Sequence, residues 1–259
     1  MNDINPTSAA VPPPIPPRPG VVPLGDNPEE REPIPNAIGA IEAILRQPRR
    51  VMYQLRQPGA GRLIMAMLFV AIVCSLIYGV VVGTFSKGDQ LWAAPLKIAA
   101  GMLISALICL PSLYIFTCLS GSQARLAEIF GLLCGLLLLM TMLLIGFAPV
   151  AWLFSESTNS VIWMGVLHLL FWFIATFFGL RFLENGFAHS RARSSAGLNT
   201  WIIIFVLVVL QMTTALRPLI GTSKDFLPRQ KKFFLAHWGD NLSSWSNSPT
   251  NSPASGARD

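Results

Sequence analysis

Five apolar runs alternate with short polar stretches along most of the chain, at residues 63–85, 95–119, 126–154, 161–183 and 201–219. An α-helix rises about 1.5 Å per residue, so about 20 apolar residues cross a hydrocarbon layer of roughly 30 Å. The first run meets that length without interruption. The second contains Pro111, the third is longer than a crossing needs and carries Pro149, and the fifth is the shortest, closed by Arg217 and Pro218. Short connections predict antiparallel neighbours. The pattern therefore predicts an all-α fold, a polytopic transmembrane bundle of five spans over residues 62–220.

Upstream of the spans the pattern changes twice. Residues 1–35 are low in complexity, with VPPPIPPRPG at 11–20 as their extreme and Glu29, Glu30 and Glu32 behind it. Proline at that density excludes helix and sheet and favours extended polyproline II, so a disordered arm is expected. Residues 36–61 then place Ile38, Ile41, Ile44 and Leu45 at helical spacing. Pro48 interrupts, and Val51, Met52 and Leu55 resume the stripe beside Arg46, Arg49, Arg50 and Arg56. A broken amphipathic helix, with its apolar side in the headgroup boundary and its arginines on phosphates, accounts for this better than a plain linker. Beyond the last run, residues 226–242 mix aromatics with base and read as a second interfacial segment. The Ser-, Asn- and Pro-rich remainder of 221–259 reads as disorder.

Composition agrees with the pattern. Of 259 residues, 53% are hydrophobic and only 12% charged, against roughly 25% charged in an average soluble domain. That balance excludes both a soluble globule and disorder throughout. The net charge is +6, but the bases flank apolar runs. They read as topology determinants and contacts to membrane lipids, and no nucleic acid is expected as a partner. The first span is expected to act as its own insertion signal. Arg46, Arg49, Arg50, Arg56 and Arg62 precede it, Arg125 lies between the second and third runs, and Arg181, Arg191 and Arg193 lie around the end of the fourth. The other side has Lys87 and Lys97. This asymmetry predicts a multi-pass membrane protein with a cytoplasmic N-terminus. The tail, which five spans place outside, carries Lys224, Arg229, Lys231 and Lys232 and runs against that rule.

Candidate chemistry is sparse. The middles of the runs contain no Asp, Glu, Lys or Arg, which argues against a proton-coupled transporter, an ion pump or an intramembrane protease. Lys97 sits near a span end and is expected to snorkel. Glu128, Arg181, Glu184 and Arg217 are also at ends, with Arg181 and Glu184 spaced to pair on one helix face. His168 is the one deep titratable group. A neutral histidine hydrogen-bonded to a neighbouring span is the favoured reading over a proton relay, and Gln211 is read as interhelical glue. His189 and His237 have no ligand spacing. Cys74, Cys109, Cys118 and Cys134 form no CxxC pair, which argues against a disulfide framework or a zinc site. No catalytic residue, cofactor site or metal site is assigned. Gly79 with Gly83, Gly131 with Gly135, and Gly101 with Ser105 are spaced for close helix approach. Packing within one bundle is preferred to a homo-oligomer face. Pro13, Pro16 and Arg18 fit a PxxPxR docking ligand, a pattern that proline-rich arms also produce by chance.

EAILRQPRRVMYQLRQPG, leading into the first span, resembles the entry of the Yip-domain family. The stretches 94–122 and 211–223 resemble uncharacterised bacterial multi-span proteins. The resemblance covers most of residues 40–223 and matches at Lys97, Pro111, Ser112, Tyr114, Gln211, Arg217 and Pro218. It implies five spans with a cytoplasmic N-terminus, and it assigns those positions no chemical role. The expected function is non-enzymatic, a membrane scaffold or adaptor that meets protein partners through its proline-rich arm. The alternatives are a channel or small-solute transporter lined by spans broken at Pro111 and Pro149, and a lipid-modifying enzyme drawing on Glu128, Arg181, Glu184, His189 and Arg217.

Overall fold

A computed structural model describes residues 23–86, 90–122, 124–157, 161–189 and 196–215. The 1–22 part of the arm, the tail from 216, and Lys87, Arg191, Arg193, Arg217 and His237 lie outside the described residues. So do Pro13, Pro16 and Arg18. Among the described residues every regular element is helical: α1 (Pro28–Arg31), α2 (Ala37–Arg46), α3 (Pro48–Leu55), α4 (Gly61–Ser86), α5 (Gln90–Leu119), α6 (Leu126–Ser157), α7 (Val161–Ala188) and α8 (Ala196–Ala215).

Local chemistry sets the breaks. Asn36 Oδ1 accepts from the Gly39 N–H at 2.8 Å and caps the start of α2, satisfying one of the orphan donors of the first turn. Pro48 cannot continue α2 but suits the first position of a helix, so α3 begins there. After α5, Gly121 takes φ +74°, a left-handed conformation that glycine adopts without Cβ strain and that ends the helix.

Four helices contain stretches long and apolar enough to cross a membrane: Gly61–Thr84, Trp92–Leu119, Leu126–Ser157 and Trp163–Ala188. The apolar part of α8, Gly197–Met212, is shorter. α5 runs through Pro95 and Pro111, and α6 through Pro149. The main contacts join α8 to α5, α5 to α4, α4 to α6 and α6 to α7. The expected bundle thus takes the form of a row in the order α8, α5, α4, α6, α7, with a smaller contact between α5 and α6. α4 shows why. Met67, Ala71, Cys74, Tyr78 and Val82 are buried on one side, while Met65, Phe69, Val73, Leu76 and Val80 form an exposed stripe on the other.

Glycines bring the row together. A Cβ on Gly79 would collide with the backbone of Pro95 in α5. On Gly135 it would lie 2.6 Å from the Phe182 ring of α7, and on Gly179 it would lie 2.8 Å from Met140 of α6. Without a hydrophobic drive between helices in lipid, such close approach supplies the packing energy. The small-residue spacing at Gly79, Gly131 and Gly135 thus serves contacts within the chain. Trp201 anchors α8: it is fully buried, stacks on Phe205 at 5.0 Å, and donates from Nε1 to the Cys109 carbonyl at 2.9 Å.

Residues 23–55 form a cap on one end of the row. Ala40, Ala43 and Ile44 of α2 and Val51, Met52 and Leu55 of α3 are buried, packed chiefly against α4 and α6. Of the stripe expected in the headgroup boundary, Ile44, Val51, Met52 and Leu55 lie against protein, while Ile38 and Leu45 stay exposed. A Cβ on Gly131 would lie 2.5 Å from Leu55, and one on Gly135 would lie 3.6 Å from Ile44. α6 is 32 residues long, about 48 Å at about 1.5 Å per residue, and its surplus length is the platform for the cap. Residues 23–35, expected to belong to a disordered arm, contribute α1 to this unit.

Candidate functional site

The charged residues that the sequence spreads along the leader converge in the cap, and Arg49 of α3 is their junction. Its Nε donates to Glu30 Oε1 at 2.6 Å, its Nη2 donates to the Pro23 carbonyl at 3.0 Å, and its Nη1 lies 3.5 Å from His189 Nε2 beyond the end of α7. Glu30 is 5% exposed, so the carboxylate is withdrawn from water, while the Arg49 side chain keeps about a third of its surface open. Its other oxygen, Oε2, accepts from the Gly25 N–H at 2.5 Å, and Arg31 Nε donates to the Gly25 carbonyl at 2.7 Å. Gly25 has φ +91°, and a Cβ there would lie 2.6 Å from the Tyr53 ring. Both the conformation and the space require glycine.

Burial alone would raise the Glu30 pKa. The hydrogen bond from Arg49, the Gly25 N–H, and the charges of Arg49 and His189 outweigh burial and hold the carboxyl below the usual range. His189 Nδ1 lies 2.7 Å from the Asn185 carbonyl, which fixes the ring over the end of α7.

A second layer repeats the logic. Arg50 donates from Nε to the Glu32 carbonyl at 3.1 Å and from Nη2 to the Pro33 carbonyl at 3.3 Å, and it pairs with the Glu32 carboxylate at 3.4 Å. Gln54 Nε2 reaches the Arg31 and Glu32 carbonyls at 3.2 and 3.0 Å. Arg56 Nε donates to Glu128 Oε1 at 2.8 Å and ties α3 to the first turn of α6. Glu128 and His189, candidates for a lipid-modifying centre, are thus engaged in fastening the cap. Arg181 is exposed, and it makes no ion pair with Glu184 among the described residues. No group of three or more His, Cys, Asp or Glu able to hold a metal occurs among the described residues.

Within the row the polar groups lie apart. Tyr78 of α4 and His168 of α7 share a 2.7 Å hydrogen bond between Oη and Nδ1, with the rings edge-on at 5.8 Å. This is the interhelical bond that the histidine reading anticipates. His168 Nε2, Ser105 Oγ and Thr176 Oγ1 are buried without a hydrogen-bond partner. Lys97, expected to snorkel, is 1% exposed. Gln211 occupies an exposed position on α8. Pro111 and Pro149 are exposed as well and face away from the contacts of the row.

No family model, no curated protein and no solved structure matches the chain. The arrangement therefore speaks through its own chemistry. Its charged groups are used to hold backbone and to fix one subdomain on the end of four long apolar helices.

Three features escape a reading of the sequence. Glu30 and Arg49 are 19 positions apart in segments of opposite character, and no local pattern pairs them. Tyr78 shares helical spacing with Cys74 and Val82 and reads as one more apolar position. Trp201 has a signal in hindsight, since a buried indole N–H needs an acceptor and the α5 backbone supplies one.

Proposed function

We propose that the chain is an integral membrane scaffold or adaptor, similar in type to the Yip-domain proteins, with five spans, a cytoplasmic N-terminus and a place in the cell inner membrane. The observation that carries this reading is the cap. Arg49, Glu30 and Arg56 fix residues 23–55 on the ends of α6 and α7, and the proline-rich arm leads directly into that fixed point. An adaptor needs a rigid base from which an accessible segment reaches partners. The cap is such a base, and in this reading the proline-rich sequence of residues 1–22 supplies the partner-binding determinants.

α8 supports a fifth span. Gly197 lies beside Phe116 of α5 and Ser120 just past its end, and Trp201 reaches back to Cys109, so α8 runs antiparallel to α5. The helix of 20 residues rises about 30 Å, of which the apolar part Gly197–Met212 covers about 24 Å of a hydrocarbon layer of roughly 30 Å. The exposed positions of Pro111 and Pro149 count against a transport path lined by broken spans.

The test is co-purification from native membranes of the full chain and of a chain lacking residues 1–22. The adaptor reading expects a set of proteins retained by the first and lost by the second. Identical sets would overturn it. A reporter fused at residue 240 addresses the topology, and an inside signal there would remove the fifth span.

A further inference from the structure

The arginines near the cap fall into two classes. Arg49, Arg50 and Arg56 point into carboxylates and carbonyls. Arg62 and Arg181 are exposed and make no ion pair among the described residues, while Arg46 has only the exposed Glu42, at 3.3 Å. An exposed pair of that kind holds its arginine weakly.

The packing also fixes relative depth. Gly131 meets Ile64 of α4, and Gly135 meets Phe182 of α7 and Ile44 of α2. Arg62, Arg181 and the α2 segment carrying Arg46 therefore sit within about two turns of one another along α6. Measured from the far end, Leu137 to Ser157 of α6 rises about 31 Å, one hydrocarbon thickness. The level of Ile44 and Phe182 is then the edge of the hydrocarbon. At that edge α2 turns outward a second apolar pair, Ile38 and Leu45, 75% and 51% exposed, one helical face away from the buried Ala40, Ala43 and Ile44.

We propose that Ile38 and Leu45 of α2, with Arg46, Arg62 and Arg181, form a collar that seats in the headgroup layer of a membrane containing anionic phospholipid. Two aliphatic side chains at the edge of the hydrocarbon enter the acyl boundary, and guanidinium groups at the same level take the phosphates. The juxtaposition carries its own charge complementarity, since Arg46, Arg62 and Arg181 outnumber Glu42 on this exposed surface. The collar rests on the membrane reading of the four long helices, and it narrows the apolar stripe of α2 that periodicity assigns to lipid to Ile38 and Leu45, Ile44 being buried against protein.

The experiment uses the full chain with Cys118→Ser, reconstituted in phosphatidylcholine vesicles with and without a third of phosphatidylglycerol. A nitroxide is placed at Ile38→Cys, Leu45→Cys or, as reference, Phe69→Cys on the exposed stripe of α4. The collar expects collision with oxygen to exceed collision with a water-soluble nickel chelate at all three sites. Lipid exposure at 69 with aqueous or protein-covered labels at 38 and 45 overturns the collar and leaves the membrane reading standing. Aqueous exposure at 69 overturns both. In the second arm, phosphatidylglycerol should raise the melting midpoint of the parent by roughly 5 °C. The combined Arg46→Gln, Arg62→Gln and Arg181→Gln variant should lose most of that rise while melting like the parent in phosphatidylcholine alone. The triple lysine variant should keep the rise. An equal rise in the glutamine variant overturns the proposal. Should the glutamine variant fail to fold, loss of the response in the lysine variant overturns it.

Discussion

The two ends of α6 are held by opposite means. Over its first turns the helix is gripped by α2 and α3, with Arg56 on Glu128 and the Glu30–Arg49–His189 chain alongside. Further along, it is held by steric fit: Gly179 of α7 against Leu136 and Met140, and Phe147 stacked on Phe171 at 4.7 Å. Outside the hydrocarbon, water is available to reward burial, so the cap combines apolar contact with charge. Inside it, lipid is as apolar as leucine, and only closeness distinguishes a helix neighbour from a lipid tail. On the membrane placement proposed above, one continuous helix meets two solvents.

The contrast can be broken first at the row. Gly79→Leu forces a side chain into the Pro95 backbone, where no flexible side-chain end can yield. The expected loss is about 3 kcal/mol or more, read as a lower melting midpoint in detergent, and a parent-like midpoint would show that α4 and α5 do not approach so closely. Next comes the cap. Arg49→Ala leaves Glu30 buried without its cation and should cost about 3 kcal/mol. Hydrogen exchange should rise in residues 23–55 and stay unchanged in α5 and α8. A uniform rise along the chain would mean that cap and row are not separate units.

Smaller effects sharpen the distinction. Tyr78→Phe removes the bond to His168 and should cost about 1 kcal/mol, again measured by melting in detergent. The last prediction concerns acid. Because the Glu30 carboxyl is held below its ordinary value of 4.5, its contribution is complete above about pH 4.5 and drains away as pH falls through the lowered value. Exchange in residues 23–55 should therefore accelerate below pH 4.5 ahead of exchange in α6, and Glu30→Gln should abolish that difference in timing. Simultaneous acceleration in both regions would remove the special role of this carboxylate.

How legible all this was in the chain follows from the same physics. Long apolar runs announce α4 to α7 because nothing else needs 20 such residues in succession. The break at Pro48 and the breadth of α6 are equally plain. Which face of α2 is covered is not legible. Ile38, Ile41, Ile44 and Leu45 share a helical stripe, but only Ile44 is fully buried, because partner surfaces on α4 and α6 decide the matter and lie further along the chain. Lys97 misleads for a related reason: a basic residue near a span end is free to reach water only when its neighbours leave a way out. Glu30 and Arg49 show the limit most clearly, since charge partners at long range leave no periodicity behind.

The unbroken length of α6 has a mechanical consequence. A tug on Pro23 would enter through Gly25 and α1, pass through the guanidinium of Arg49 into α3, and reach a stiff rod through Arg56. Force applied at the cap would then be delivered along the 32 residues of α6 with little slack, as through the shaft of a lever.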